Sequence, residues 1–276
     1  MNIDKIKNYN QKVLAVLGTV VALIAVVGLI SIIIFTINEI GRTFRHNNQN
    51  NGILSDEKIE ELQQENKRKQ LISYETPILV DSLNLVYIIP VSQKTLRSSE
   101  NIDEKTLGLM DSRSSSEEDK RYSGQYYGDF NNLVIYDYKN SNIEKLFNDR
   151  INFDNIQTEY FKDDILVIFK ATTKDTYKDG VINQLDYKTL FIYSMKNKNL
   201  KKITIENSDV SEINFVGNSK DLLIKFGLDH NKDGKFDEYS EPSLIKKYDY
   251  VNGKLIDIVS QEVNAELQMN LEGTKK

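Results

Sequence analysis

The chain of 276 residues has no cysteine and two histidines, His46 and His230. Without thiols there is no disulfide framework, no thiolate nucleophile and no Cys-ligated zinc. That absence fits a bacterial envelope and a cytosol equally. The histidines differ in setting, one just past a long apolar run and one in a polar loop, and suggest no shared site. Missing too are a G-x-S-x-G elbow, a phosphate-cradling glycine loop and an H-E-x-x-H pair, so no enzymatic chemistry is expected. The carboxylate pairs Glu117–Glu118 and Asp163–Asp164 fall in polar turns, where solvated charge explains them. A basic excess is also lacking. The net charge is −5; residues 1–37 hold three Lys and one Asp, or +2, which leaves −7 for the rest. Such a surface repels phosphate backbones and argues against nucleic-acid partners.

What is present is a run of 25 uncharged residues, Val13–Ile37. A helix of that length covers a bilayer core, and in lipid only a helix satisfies its own backbone. A cleaved signal peptide with Lys5, Lys7 and Lys12 as its basic start is the alternative. Its apolar region would be shorter, about 7–15 residues, and would end in a small-residue cleavage site. The expectation is therefore a single-pass anchor over 13–37 with a short cytoplasmic tail, 1–12. Positive charge on the amino side favours the remainder facing the periplasm or exterior of a bacterial cytoplasmic membrane. Ala15, Gly18, Ala22 and Ala25 recur at steps of three and four, a stripe that lets helices approach closely and is also common in lone spans.

Residues 38–52 dissolve into an Asn/Gln/Gly linker. Ser55–Gln70 is rich in helix formers, with Ser55 as N-cap and Asp56 and Glu57 in the first turn. Residues 38–71 thus read as a linker and a short solvated stalk helix. From 72 to 260 the texture is all-β: short runs of Ile, Val, Tyr and Phe between polar turns. The runs repeat. Leu83–Val91, Asp164–Thr172 and Asp221–Asp229 form one kind; Asn132–Asn140, Thr189–Asn197 and Ser243–Val251 a second. A third follows each after a tight turn, from Ile143, Leu200 and Lys254, and a short apolar patch precedes each first-kind strand. Leu133, Leu190 and Leu244 lie 57 and 54 residues apart, a period of four strands. The alternative is an ordinary antiparallel sandwich. Residues 261–276 read as a polar tail.

The pattern of an apolar strand, a loop, an L-x-I-Y-D-like strand and a G-K-L turn, as in Ser243–Leu255, resembles TolB-type β-propeller repeats. The resemblance implies a soluble domain of three four-stranded propeller-like blades and a protein-contacting role in the cell envelope; it carries no catalytic residues. Propellers close with about four to eight blades, so three blades leave two terminal faces without a mate. Those faces would dock on subunits of a membrane complex, be capped by flanking segments, or close a six-bladed ring as a homo-oligomer.

The sharpest local motif is Asp229–Glu241, DHNKDGKFDEYSE. Asp229, Asn231, Asp233, Gly234 and Asp237 hold positions 1, 3, 5, 6 and 9 of a calcium loop, with the Lys235 carbonyl as a further donor. A hard cation wants six or more oxygens, and alternate side chains supply them where the chain turns sharply at glycine. Position 12 is Ser240, so Glu241 would have to substitute. A weaker copy, Asp175–Asp186, places Asp175, Asp179, Asn183 and Asp186 at positions 1, 5, 9 and 12, with the Val181 carbonyl at 7 and Tyr177 spoiling position 3. Structural Ca²⁺ is the expectation; turn formation by Asp-Gly and Asn is the alternative.

In the first unit the corresponding loop is long, Ser92–Gly128, with a polar SRSSSEEDKR stretch and Tyr122, Tyr126 and Tyr127 at its close. Loop-base tyrosines serve as contact residues or as plugs for the adjacent sheet. The sequence points first to a membrane-anchored binding or accessory subunit. A carboxylate hydrolase on a propeller scaffold and a calcium-responsive sensor are the alternatives.

Overall fold

The structure, a computed structural model, describes Leu17, residues 52–101 and residues 124–273 of the chain. The chain divides into two compact units, Met1–Asn50 and Asn51–Lys276. In the first, the described residue is Leu17, which is helical and exposed. The expected tail, the rest of the span Val13–Ile37 with Ala15, Gly18, Ala22 and Ala25, and residues 38–51 lie outside the described residues, as does the centre of the long loop, 102–123. Among the described residues no helix is long and apolar enough to cross a membrane.

The second unit is mostly β-sheet, and each of the three sequence repeats folds as a four-stranded antiparallel meander. The first runs β3 (Ile78–Asp81), β4 (Val86–Asn101), β5 (Gln125–Asp137), β6 (Asn142–Lys145). The next is β7 (Phe153–Tyr160), β8 (Ile165–Thr172), β10 (Lys188–Ser194), β11 (Asn199–Ile203). The last is β12 (Ser208–Phe215), β13 (Leu222–Leu228), β14 (Ser243–Asp249), β15 (Lys254–Asp257). The turn between the last two strands of each unit has one chemistry. The side chains of Asp137, Ser194 and Asp249 accept the backbone N–H of Asn140, Asn197 and Asn252 at 3.1, 3.0 and 2.9 Å. The residue after each Asn takes positive φ: Ser141 at 50°, Lys198 at 49° and Gly253 at 66°. Short polar side chains that bond their own backbone make these turns locally, before any packing.

Period-two alternation sorts the middle unit into two cores. On β8, Val167, Phe169 and Ala171 join one cluster with Phe130, Phe147 and Phe153 of the preceding segments, while Leu166 and Ile168 join a second with Val210, Leu222, Ile224 and Phe226. On β10, Phe191 and Tyr193 face the first cluster, Leu190 and Ile192 the second. This is why the runs in the middle unit read as continuously apolar: both faces are covered. Each fully buried side chain contributes about 1.5–3 kcal/mol.

Four features differ from the sequence expectation. The stalk is not a spacer. Its helix, α1 (Asp56–Gln64), is capped by Ser55 and stops before Asn66 at φ 54°; Lys67–Tyr74 then forms β2, which pairs with β4. A stretch rich in helix formers becomes strand because β4 offers it a hydrogen-bonded ladder. Second, the ends of the long loop are strands as well. β4 runs on to Asn101, and the first half of β5 pairs with β7, which fuses the first two units into a nine-stranded sheet. Tyr126, on that added strand, is buried as a plug, while Tyr127 is exposed. Third, the polar tail forms α2 (Gln261–Glu272), with Ser260 as N-cap and Gly273 at its end; none of its residues is buried.

Last, the two terminal faces are unalike. Outward from the first unit point Leu79, Tyr87, Ile89, Val134, Tyr136 and Ile143, none of them buried, with Lys145 at the margin. Outward from the third unit, Leu223, Ile245 and Ile256 are separated by charge: Lys225 pairs with Glu238 at 2.5 Å and Lys247 with Asp221 at 2.7 Å. Two terminal faces without a mate were expected; one is apolar, and the other is salted.

Candidate functional site

Both acidic loops leave the same place in their units, between the second and third strands, and fold alike. In the earlier loop the Asp175 carboxylate accepts the N–H groups of Asp179 and Gly180 at 3.1 and 2.9 Å; in the later one Asp229 accepts that of Gly234 at 3.0 Å and that of Lys232. Asp179 and Asp233 each accept the N–H two residues on, from Val181 at 3.0 Å and Lys235 at 3.1 Å. Asn183 and Asp237 do the same for Leu185 at 2.8 Å and Tyr239 at 3.1 Å. Asn231 has no counterpart at Tyr177; its side-chain oxygen accepts from the Asp233 N–H at 2.8 Å.

The closing carboxylates match too. Asp186 accepts from Thr176 and Tyr177 at the start of its loop, at 2.7 and 3.0 Å, and from Asn183 at 2.9 Å. Glu241 accepts from His230 and Asn231 at 2.8 and 3.1 Å and from Asp237 at 2.9 Å. The residue after Ser240 therefore closes the second loop, one position later than in the first, and the Ser240 hydroxyl donates to Asp237 at 2.7 Å instead. Asp186 is almost fully buried, and burial pushes its carboxyl above the usual range, against the three N–H groups that pull it down.

The loops also meet. The Thr176 hydroxyl donates to the Gly234 carbonyl at 2.6 Å, the Tyr187 hydroxyl to the Asp229 carboxylate, and the Lys235 ammonium lies 4.6 Å above the Tyr177 ring. On its other side the first loop holds the start of the domain. Its Val181–Ile182 strand, β9, pairs with β1 (Ile53–Leu54), and the Ser55 N–H donates to the Gly180 carbonyl at 2.9 Å. Arg150 reaches from the next turn to Asp56 and to the Leu54 carbonyl.

The donor types suit a hard cation, but their oxygens serve the loops' own backbone. Among the described residues no three His, Asp or Glu side chains group closely enough to hold a metal ion. The pair Asp163–Asp164 is likewise structural: Lys220 lies 2.8 Å from the first and 3.5 Å from the second, and Ser194 donates to Asp164 at 2.6 Å.

A feature that the motif search passed over lies between the second and third units. A cleft of about 300 Å³ has Asn155, Gln157, Ile168, Phe169 and Lys170 of β7 and β8 on one side and Ser211–Asn214 of β12 on the other. The Lys170 ammonium donates to the Ser211 carbonyl at 2.6 Å, and among the described residues the buried Asn155 side-chain oxygen has no partner. The available signal was a lysine interrupting the apolar run ILVIFKAT. Burial, seconded by the charge of Lys188, holds Lys170 below the usual lysine range. A base depressed in this way binds fewer protons folded than unfolded between its folded value and 10.5, so stability rises with pH across that window. Wild type should accordingly gain on Lys170→Met as pH climbs into the ordinary lysine range, in paired urea melts. A constant difference would remove this titration.

No family model, curated protein or solved structure matches the chain.

Proposed function

We propose that the chain is a membrane-tethered binding module: three propeller-like sheets, akin to TolB-type repeats, held outside a bacterial cytoplasmic membrane by Val13–Ile37. It serves as a non-catalytic accessory subunit of an envelope membrane complex. The observation that carries this reading is the apolar outward face of the first unit, charged only at its margin by Lys145. There Tyr87 and Tyr136 lie 6.4 Å apart between rings, flanked by Leu79, Ile89, Val134 and Ile143, and none of the six is buried. An apolar, aromatic sheet face with its opposite side packed on a core suits an apolar protein surface, and aromatic anchors dominate such contacts. Full-length protein isolated in mild detergent should bring down a stoichiometric subunit or form a defined homo-oligomer. Tyr136→Asp should weaken that association at least tenfold, while Ile245→Asp on the charged end leaves it intact. A monomer in every preparation, or indifference to Tyr136, overturns the reading.

Structural calcium is the second part of the proposal, supported by the matching donor types and the similar closure of the two loops by Asp186 and Glu241. At about 10 mM calcium and a dissociation constant of about 10⁻⁴–10⁻³ M, binding adds about 1.4–2.7 kcal/mol. That is a rise of about 3–11 °C in melting temperature for a domain of this size. The rise should appear when calcium is returned to chelator-treated protein and vanish in Asp233→Ala. Equal melts with calcium and with chelator would remove the ion.

A further inference from the structure

We propose that the open edge of β12 is a peptide-binding slot, taking an extended segment of a partner protein as an added strand. Among the described residues β12 is hydrogen-bonded to β13 alone and ends its sheet. The Val216 N–H donates to the Asp221 carbonyl, and the register then places the pairs Asn214–Leu223 and Glu212–Lys225 in the hydrogen-bonded sites. Ile213 and Phe215 therefore turn their backbone N–H and C=O groups to the open side. That side is not bare solvent but the cleft, whose opposite wall is built from Asn155, Gln157, Ile168, Phe169 and Lys170.

The molecule supplies its own precedent. β7 opens the second unit as β12 opens the third, and the chain's own Gln125–Phe130 stretch pairs along the edge of β7. Among the described residues the corresponding edge of β12 carries no strand, and its Ser211 carbonyl accepts from the Lys170 ammonium. Beyond the bulge between Val210 and Glu212, donors and acceptors spaced at every second residue match another extended backbone and not a sugar ring. Lys170 has Asp209, Asp154 and Glu212 within electrostatic reach as well as Lys188, so charge of either sign on the incoming peptide meets like charge. The slot thus reads the backbone and neutral side chains. This edge lies in another unit from the Tyr87–Tyr136 face, and its occupation does not depend on that face having a partner.

The test uses full-length protein in detergent and a phage-displayed library of random 12-residue peptides. The expected result is enrichment of peptides that slow amide exchange at Ile213 and Phe215 at least tenfold. Their affinity should fall at least tenfold in Ile213→Pro, which deletes an edge N–H that β13 does not use. Asn155→Leu, which leaves β12 untouched, should weaken the same peptides and controls for misfolding of the proline variant. Tyr136→Asp should bind them normally. No enrichment, equal binding to all variants, or protection confined to other strands each overturns the proposal, as does protection of these amides by a neutral oligosaccharide in place of a peptide.

Discussion

Phe153→Ala should destabilise the domain by about 3–5 kcal/mol, the range for emptying a fully enclosed aromatic site. Phe153 has no exposed surface, and its ring centre lies 4.9 Å from that of Phe169, 5.5 Å from Phe130 and 6.5 Å from Phe147. Phe147 in turn meets Phe169 at 5.4 Å and Phe191 at 5.2 Å, so the cavity would open at the centre of an aromatic cluster. For a domain of this length the melting temperature should drop by about 6–20 °C. Phe226→Ala, in the other core, should cost a similar amount. The double variant should show the sum within about 0.5 kcal/mol, since the two rings share no partner. Coupling well beyond that would mean that the cores on either side of the middle sheet are not separate.

Gly234→Ala should cost about 3 kcal/mol or more and uncouple the two acidic loops. Gly234 holds φ at 89°, where a β-carbon is strained, and that carbon would collide with the carbonyl of Thr176 in the neighbouring loop. Backbone on both sides leaves no soft side chain to move aside. Gly217→Ala isolates the conformational part: φ is 56° there and nothing lies within 4 Å, so about 1 kcal/mol is expected. The difference between the two variants measures the loop contact, and proteolysis of the 175–186 loop should accelerate in Gly234→Ala alone. Equal melting temperatures would show that the loops can part without cost. Because the first loop also pairs with Ile53–Leu54, the same substitution should loosen the point where the chain enters the domain.

The strands of all three units, their order and the turns between them were legible because each rests on local chemistry. Alternating β-branched and aromatic residues favour extended chain, and Asp, Ser and Asn bond their own backbone at the turns. The acidic loops were legible as turns for the same reason, with Glu241 and not Ser240 accepting the backbone N–H groups that close the second. The contact between them was not, since Thr176 and Gly234 are 58 residues apart and neither is unusual in its own stretch. Nor could Lys67–Tyr74 be read as a strand, because its partner in β4 lies beyond an intervening strand.

What the amino-acid sequence determined alone is therefore the repeated four-strand unit, an acidic charge balance and two oxygen-rich turns, all set within a few residues of chain. The tertiary structure decided which faces were left over. Strand pairing and sheet stacking join residues far apart, so only the assembled units leave the Tyr87–Tyr136 face apolar, lace the opposite end with lysine and glutamate, and leave β12, among the described residues, an edge without a neighbouring strand.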